Sequence, residues 1–261
     1  GDLALTLYWK ISDSTPPPST KEDYRFVSHP IPERDFRLFT HLIDANFGKA
    51  ADDDALELPA AYWKPGDLII TKRAMPIPSG MAAGPYWLSI GMYEMGSLKR
   101  LPLTDGRSGL SAEELRVGPI KVVGQAPSPS HSLDATFEGV LGLTGFEFAR
   151  PLLGAGDTLR VSLYWRTMKK VTVDYKVFVH VLDGDGKLIA QHDGEALNGL
   201  YPFPQWEQSE EIRDDHNIRL PAEAVGQKLR IVAGIYDPAT IQRLRLPDGR
   251  DSIDLGEFSL R

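Results

Sequence analysis

Two groups of side chains sit where they could do chemistry: carboxylates beside glycines, and aromatic rings crowded into one loop. Asp183 and Asp185 fall within Asp183-Gly184-Asp185-Gly186, and Asp193 follows shortly after. Hard oxygens at that spacing make a candidate calcium site, because calcium takes about 6–8 oxygen ligands. Asp52-Asp53-Asp54 is the rough equivalent earlier in the chain. The same Asp-Gly-Asp-Gly run is also ordinary hairpin chemistry: its glycines supply the positive φ of a tight turn, and no EF-hand spacing follows. The aromatic loop is Asn198-Gly199-Leu200-Tyr201-Pro202-Phe203-Pro204-Gln205-Trp206. Aromatic faces stack on sugar rings, so Asn198, Tyr201, Phe203 and Trp206 form a candidate carbohydrate platform. Trp206 has a counterpart in Trp63 and reads equally well as the plug of a domain end. Tyr201 and Phe203 have no counterpart and are the more specific candidates.

His41 and His180 stand at matching places in apolar runs. A catalytic base needs a nucleophile or water and an orienting carboxylate within reach. Phe39 and Ile43, or Phe178 and Leu182, share each histidine's face at period two, which is the setting of a satisfied core histidine. No Gly-x-Ser-x-Gly elbow, P-loop, His-Glu-x-x-His or Gly-x-Gly-x-x-Gly occurs, and no carboxylate pair stands out for glycoside hydrolysis. These observations point away from an enzyme.

Composition narrows the rest. The 261 residues are 42% hydrophobic and 25% charged, which suffices to build a core. A net charge of -7 and a pI near 5.4 repel a phosphate backbone, so nucleic acid is not an expected partner. There is no cysteine, hence no disulfide and no thiolate metal site. No apolar stretch approaches the ~20 residues that span a bilayer. The chain opens at Gly1-Asp2-Leu3, already in a strand-like pattern and without a signal peptide, which reads as a piece of something longer.

The elements that must position these residues come in two copies. Leu7-Tyr8-Trp9-Lys10 returns as Leu163-Tyr164-Trp165-Arg166, and Phe39-Thr40-His41-Leu42-Ile43-Asp44 as Phe178-Val179-His180-Val181-Leu182-Asp183. Trp63 returns as Trp206, Gly91-Met92-Tyr93 as Gly234-Ile235-Tyr236, and Arg100–Arg107 as Arg243–Arg250. Val117-Gly118-Pro119-Ile120 returns as Leu255-Gly256-Glu257-Phe258. Matching blocks in one order mark a duplication. Residues 1–123 form the first copy, 124–133 a Pro/Ser-rich linker and 134–261 the second copy. The first copy lacks an opening strand that the second has near 135–143, and it carries a Pro-rich insertion at 12–34. Alternation such as Val161, Leu163, Trp165 against Ser162, Tyr164 marks strands. Only Ser111–Leu115 looks helical, for one turn. The expected fold is all-β: two tandem antiparallel β-sandwiches, immunoglobulin-like or jelly-roll.

The second copy also resembles a module found at the extracytoplasmic C-terminal ends of bacterial membrane glycosyltransferases of the dolichyl-phosphate-mannose-dependent type. The residues carrying the resemblance are Phe178–Asp183, Asp193-Gly194, Asn198–Pro202, Trp206, Gly234–Thr240 and Asp248–Asp251. The first copy keeps the pattern loosely: Glu94-Met95 stands for Asp237-Pro238, and the Asn-Gly-Leu-Tyr segment is lost. The resemblance implies an extracytoplasmic accessory module, with any transferase chemistry outside these residues and no catalytic residue to carry over. Three readings follow. The first is a non-catalytic structural or interaction pair at the envelope, without a cofactor unless calcium binds, whose partner is a glycan or another envelope domain. The second is a carbohydrate-binding module. The third is a glycan-acting hydrolase with a groove between the copies.

Overall fold

Strand β12 (Thr158–Thr167) shows why this chain folds as it does. Its period-two alternation sends Leu159, Val161, Leu163 and Trp165 to one face, and all four are buried. The same holds for β16 (Lys228–Tyr236), where Leu229, Ile231, Ala233 and Ile235 are each fully buried. The computed structural model describes residues 1–12, 36–56, 60–104, 111–123, 126, 128–148, 154 and 156–259. Beyond Ser12, the Pro-rich insertion lies outside the described residues up to its end at 34.

The chain divides into two compact units: residues 1–81 with 85–122, and residues 82–84 with 123–261. Unit two holds β10 (His131–Phe137), β11 (Leu141–Phe148), β12, β13 (Lys176–Leu182), β14 (Leu188–Glu195), β15 (Glu211–Arg219), β16 and β17 (Ile253–Ser259). One antiparallel sheet has the order β10-β11-β12-β15, the other β14-β13-β16-β17. A jelly roll would interleave early and late strands in each sheet. Here β10, β11 and β12 are neighbours, and so are β16 and β17. The core pairs β12–β15 and β14-β13-β16-β17 therefore match the B–E and C′–C–F–G arrangement of an immunoglobulin-like sandwich.

Unit one repeats most of this. It holds β1 (Asp2–Lys10), β2 (Phe36–Ile43), β3 (Lys49–Asp52), β4 (Ala55–Leu56), β5 (Leu68–Pro76), β6 (Gly84–Glu94), β7 (Leu103–Thr104), β8 (Ser111–Ala112) and β9 (Leu115–Val122). The sheet β3-β2-β6-β9, with β4 also on β2, corresponds to β14-β13-β16-β17, and the pair β1–β5 to β12–β15. Register confirms the match: Phe39 lies opposite Gly91 as Phe178 lies opposite Gly234, and Trp9 opposite Ile69 as Trp165 opposite Ile212. Among the described residues of unit one, β10 and β11 have no counterpart. The stretch Ser111–Leu115 is not helical. Ser111–Ala112 pairs with β7, and Leu115 begins β9. Sheet pairing there overrides the helix propensity of a two-glutamate run. Among the described residues, no helix is long and apolar enough to cross a membrane.

Candidate functional site

The outer face of the larger sheet carries the same polar cluster in each unit. In β2, Leu38 and Leu42 point into the core, so Phe39 and His41 point outward. The histidine thus sits on the face opposite the core, not within it, and is half-buried by its neighbours. His41 Nε2 lies 2.9 Å from Asp54 Oδ1, and the Tyr93 hydroxyl donates to Asp54 Oδ2 at 3.3 Å. Arg100 lays its guanidinium over the Phe39 ring, 4.8 Å from the centroid, and pairs with Glu114 at 2.7 Å. Unit two repeats the arrangement except for the carboxylate that the arginine meets, since Asp251 matches Glu113 and Ser252 matches Glu114. His180 Nε2 lies 3.1 Å from Asp193 Oδ1, Arg243 sits 4.3 Å over Phe178, and Arg243 reaches Asp251 at 3.5 Å. Burial, then the Asp193 charge, push the Tyr236 hydroxyl above its ordinary pKa.

Glycine makes this stack possible. A Cβ on Gly91 would come within 2.5 Å of the Phe39 ring, and one on Gly234 within 2.4 Å of the Phe178 ring. The bare strand lets each ring lie flat across its neighbour, where the arginine then covers it. The hairpin beyond each cluster ends on an exposed aliphatic residue at positive φ: Leu98 at 56° and Ile241 at 59°. The cluster therefore belongs to the scaffold that both copies share.

What unit one adds is different. An open depression of about 590 Å3 is lined by His41, Phe47, Lys49, Ser89, Arg100 and Glu114, among others. Strand register gives the unit-two counterparts: Leu188 for Lys49, Val232 for Ser89 and Gly186 for Phe47. Aligning Gly118 with Gly256 puts Asp254 at Arg116. Phe47 holds φ 63° and is 51% exposed, in a turn position where unit two uses glycine at φ 81°. A bulky residue in the left-handed region is strained, and such strain clusters at functional sites. Arg116 sits 4.6 Å over its ring. Burial would raise the Glu114 pKa, but hydrogen bonds from Ser89, Arg116 and Arg100 outweigh it, and the net shift is downward. Glu114 is thus held as a carboxylate.

The aspartates expected to bind calcium are not brought together. Asp183 Oδ1 accepts the backbone N–H groups of Asp185 and Lys187 at 3.0 and 2.9 Å, closing the β13–β14 turn, while Asp193 pairs with His180. Asp44 does the same in unit one, accepting from Asn46 and Gly48. Among the described residues, the potential metal ligands that do gather are His41, Asp52 and Asp54, with ligand atoms within 4.8 Å of one another. Lys49 Nζ already lies 3.0 Å from Asp52, so protein cations serve the charge there. Unit two has Gln191 in place of Asp52, by register with His180.

The aromatic platform does not form either. Tyr201, Phe203 and Trp206 are buried to 1%, 0% and 0% exposure. Trp206 Nε1–H donates to the Tyr201 carbonyl at 2.8 Å, and the Tyr201 hydroxyl reaches the Gln205 carbonyl and Glu210, each at 3.0 Å. The Phe203 and Trp206 rings lie 4.5 Å apart. The loop folds in on itself because its indole and phenol find partners within it, leaving the ring faces to the core. Of the four candidate residues, only Asn198, at φ 56°, stays exposed.

One further polar group lies inside unit two. Asp214 and His216 are both buried, joined by His216 Nε2 to Asp214 Oδ2 at 3.0 Å, and His216 Nδ1 meets His192 Nδ1 at 2.9 Å. Asp214 Oδ1 also accepts the N–H of Leu197, which holds φ 52°. At the corresponding positions unit one has Arg73 and Asp53, an ion pair. Sequence reading passed over both pairs, and over Phe47 and Leu98. Phe47 was detectable by laying the turn Asp44-Ala45-Asn46-Phe47-Gly48 on Asp183-Gly184-Asp185-Gly186-Lys187. The others carry no signal before the sheets are paired.

No protein-family model matches the chain, and no curated protein sequence does. Among solved structures, the chain is similar to the beta-glucuronidase of Ruminococcus gnavus, at 11% identity and a TM-score of 0.24. The same enzyme in complex with D-glucuronic acid gives 11% identity and a TM-score of 0.23. The match covers 100% of this chain but 36% of the enzyme's. A likeness at that score carries no argument about what this chain does.

Proposed function

We propose that the chain is a non-catalytic pair of immunoglobulin-like sandwiches acting as an accessory at the cell envelope, attached to a larger membrane protein. Its binding surface is the depression on unit one, and its ligand class is carbohydrate. The observation that carries this reading is the contrast between the copies. Unit two keeps the shared Phe-His-Asp-Tyr-Arg cluster as scaffold, whereas unit one adds Phe47, Lys49, Ser89, Glu114 and Arg116 around it. Phe47 offers an apolar edge, and the rest offer donors and acceptors of both signs, which is the mixture that sugar hydroxyls and ring C–H groups require. Glu114 supports the non-catalytic part only against the general-acid role. A glycosidase acid must hold its proton, and Glu114 is bound by two arginines and a serine that keep it ionised.

The test is titration calorimetry of the intact chain against a glycan panel. Binding is expected in the wild type and is lost in Phe47→Gly and weakened about tenfold in Glu114→Gln. A wild type that binds no member of a broad panel overturns the carbohydrate reading. Turnover of a glycoside that depends on Glu114 overturns the non-catalytic one.

A further inference from the structure

Glu114 is the hub of the unit-one depression, and its hydrogen-bonding capacity is taken up inside the protein. Its Oε1 accepts from Arg116 Nε at 2.6 Å and from Nη2 of the same guanidinium. Its Oε2 accepts from Ser89 Oγ at 2.9 Å and from Arg100 Nη1 at 2.7 Å. A carboxylate has about four lone-pair sites, so little is left for a ligand. The Glu114 side chain is also shielded, at 18% exposure, while the arginines it holds are open, Arg100 at 39% and Arg116 at 44%. Two guanidiniums on the two oxygens of one carboxylate stand side by side. Each is fixed in its plane by a ring beneath it, Arg100 over Phe39 and Arg116 over Phe47. Arginine donates and never accepts, so what this pair turns outward is donor capacity, already oriented.

The charge of the lining runs the same way. The depression sets three cations, Lys49, Arg100 and Arg116, against Glu113 and Glu114. At the matching positions unit two has Arg243 against Asp251 and Asp254, with Leu188 and Ser252 at the other two. Asp52 balances Lys49, 3.0 Å away, so the local imbalance is that of two guanidiniums sharing Glu114. We propose that the ligand of this depression is an acidic glycan, with a sugar ring against Phe47 and a uronic-acid carboxylate received by Arg116 and Arg100. A planar carboxylate matches the arginine fork, and donors preset by the rings and by Glu114 lower the ordering cost of binding. Glu114 is then a positioning residue that holds the two forks. This inference rests on the carbohydrate reading above and narrows it to glycans that carry uronic acids.

The probes are oligosaccharides of galacturonate, mannuronate and guluronate, each paired with its methyl ester, which keeps the sugar and removes the charge. They are titrated into the intact chain. At least one acid is expected to bind about tenfold or more tightly than its ester, and to bind less tightly as salt is raised. Arg116→Gln is expected to bring that acid and its ester to the same affinity. A merely structural role for Arg116 would weaken both by one factor and leave their ratio unchanged, which overturns the assignment. The wild-type ratio of acid to ester needs no variant, so a misfolded Arg116→Gln does not blunt the test. Esters or neutral glycans bound as tightly as the acids overturn the acidic-glycan inference and leave the carbohydrate reading standing. A sulfated oligosaccharide or an oligoglutamate peptide that binds as tightly as the uronates overturns the assignment of a carboxylate-bearing sugar. If no glycan binds, charged or neutral, the carbohydrate reading fails and this inference with it.

Discussion

Phe47 and Gly91 show how single residues separate scaffold from function. Phe47 stands at φ 63° where the second copy has glycine, and left-handed backbone costs a non-glycine residue roughly 1–2 kcal/mol. Phe47→Gly is therefore expected to raise stability by about 0.5–1 kcal/mol in denaturant unfolding, after loss of the Arg116 contact, while removing ligand binding. That opposite pair of signs identifies a residue kept for function. Gly91 and Gly234 behave the other way. Alanine at either position drives a methyl group into the facing phenylalanine ring, so Gly234→Ala should lose about 1–3 kcal/mol. Adding Phe178→Ala to Gly234→Ala should cost less than the two separate losses together, because the ring that clashes is gone. Urea unfolding of the single and double variants measures this coupling.

At the level of strands, the copies join their two sheets with different chemistry. Unit one uses an ion pair of Arg73 with Asp53. Unit two uses His192 and His216, backed by Asp214. In the tautomer whose Nε2–H donates to the Asp214 carboxylate, His216 Nδ1 accepts a hydrogen bond from His192 Nδ1–H. Burial first, then His216, lower the His192 pKa, with Asp214 and Asp193 pulling upward. The folded state thus binds the proton less readily than the unfolded chain. As pH falls below the ordinary histidine value, near ~6.5, the unfolded chain takes up the proton first and stability is lost until the folded pKa is reached. Thermal unfolding followed from pH 7.5 to 5 is expected to show unit two losing stability over that window. Replacing the pair with the unit-one residues, His192→Asp with His216→Arg, should flatten the response. An unchanged acid response in that double variant would show that the histidine pair is not its source.

For the molecule as a whole, the different burial of matching residues predicts unequal units. Unit two seals Trp165, Trp206, Tyr201, Phe137, Phe178 and Phe203 almost completely, and burying one such ring contributes about 1.5–3 kcal/mol. Unit one leaves the row from Leu3 to Trp9 partly open. Differential scanning calorimetry of the intact chain is expected to resolve two transitions. Gly91→Ala should move the lower one and Gly234→Ala the upper one. A single transition moved equally by both variants would show that the units unfold together.

Much of this was legible in the residues alone, because duplication and period-two alternation are local properties of a chain. The matching of His41 with His180, the buried face of Val161, Leu163 and Trp165, and the turn chemistry of Asp183 are all written in residue order. The choice between jelly roll and immunoglobulin-like order was not, since strand pairing is long-range and both folds use the same alternation. Nor was the fate of the aromatic loop: Tyr201, Phe203 and Trp206 look identical in sequence whether they face solvent or core, and only the closure of indole and phenol onto loop carbonyls turned them inward. The depression around Phe47 joins residues from separate strands and loops, so it exists only once β2, β3, β6 and β9 lie side by side.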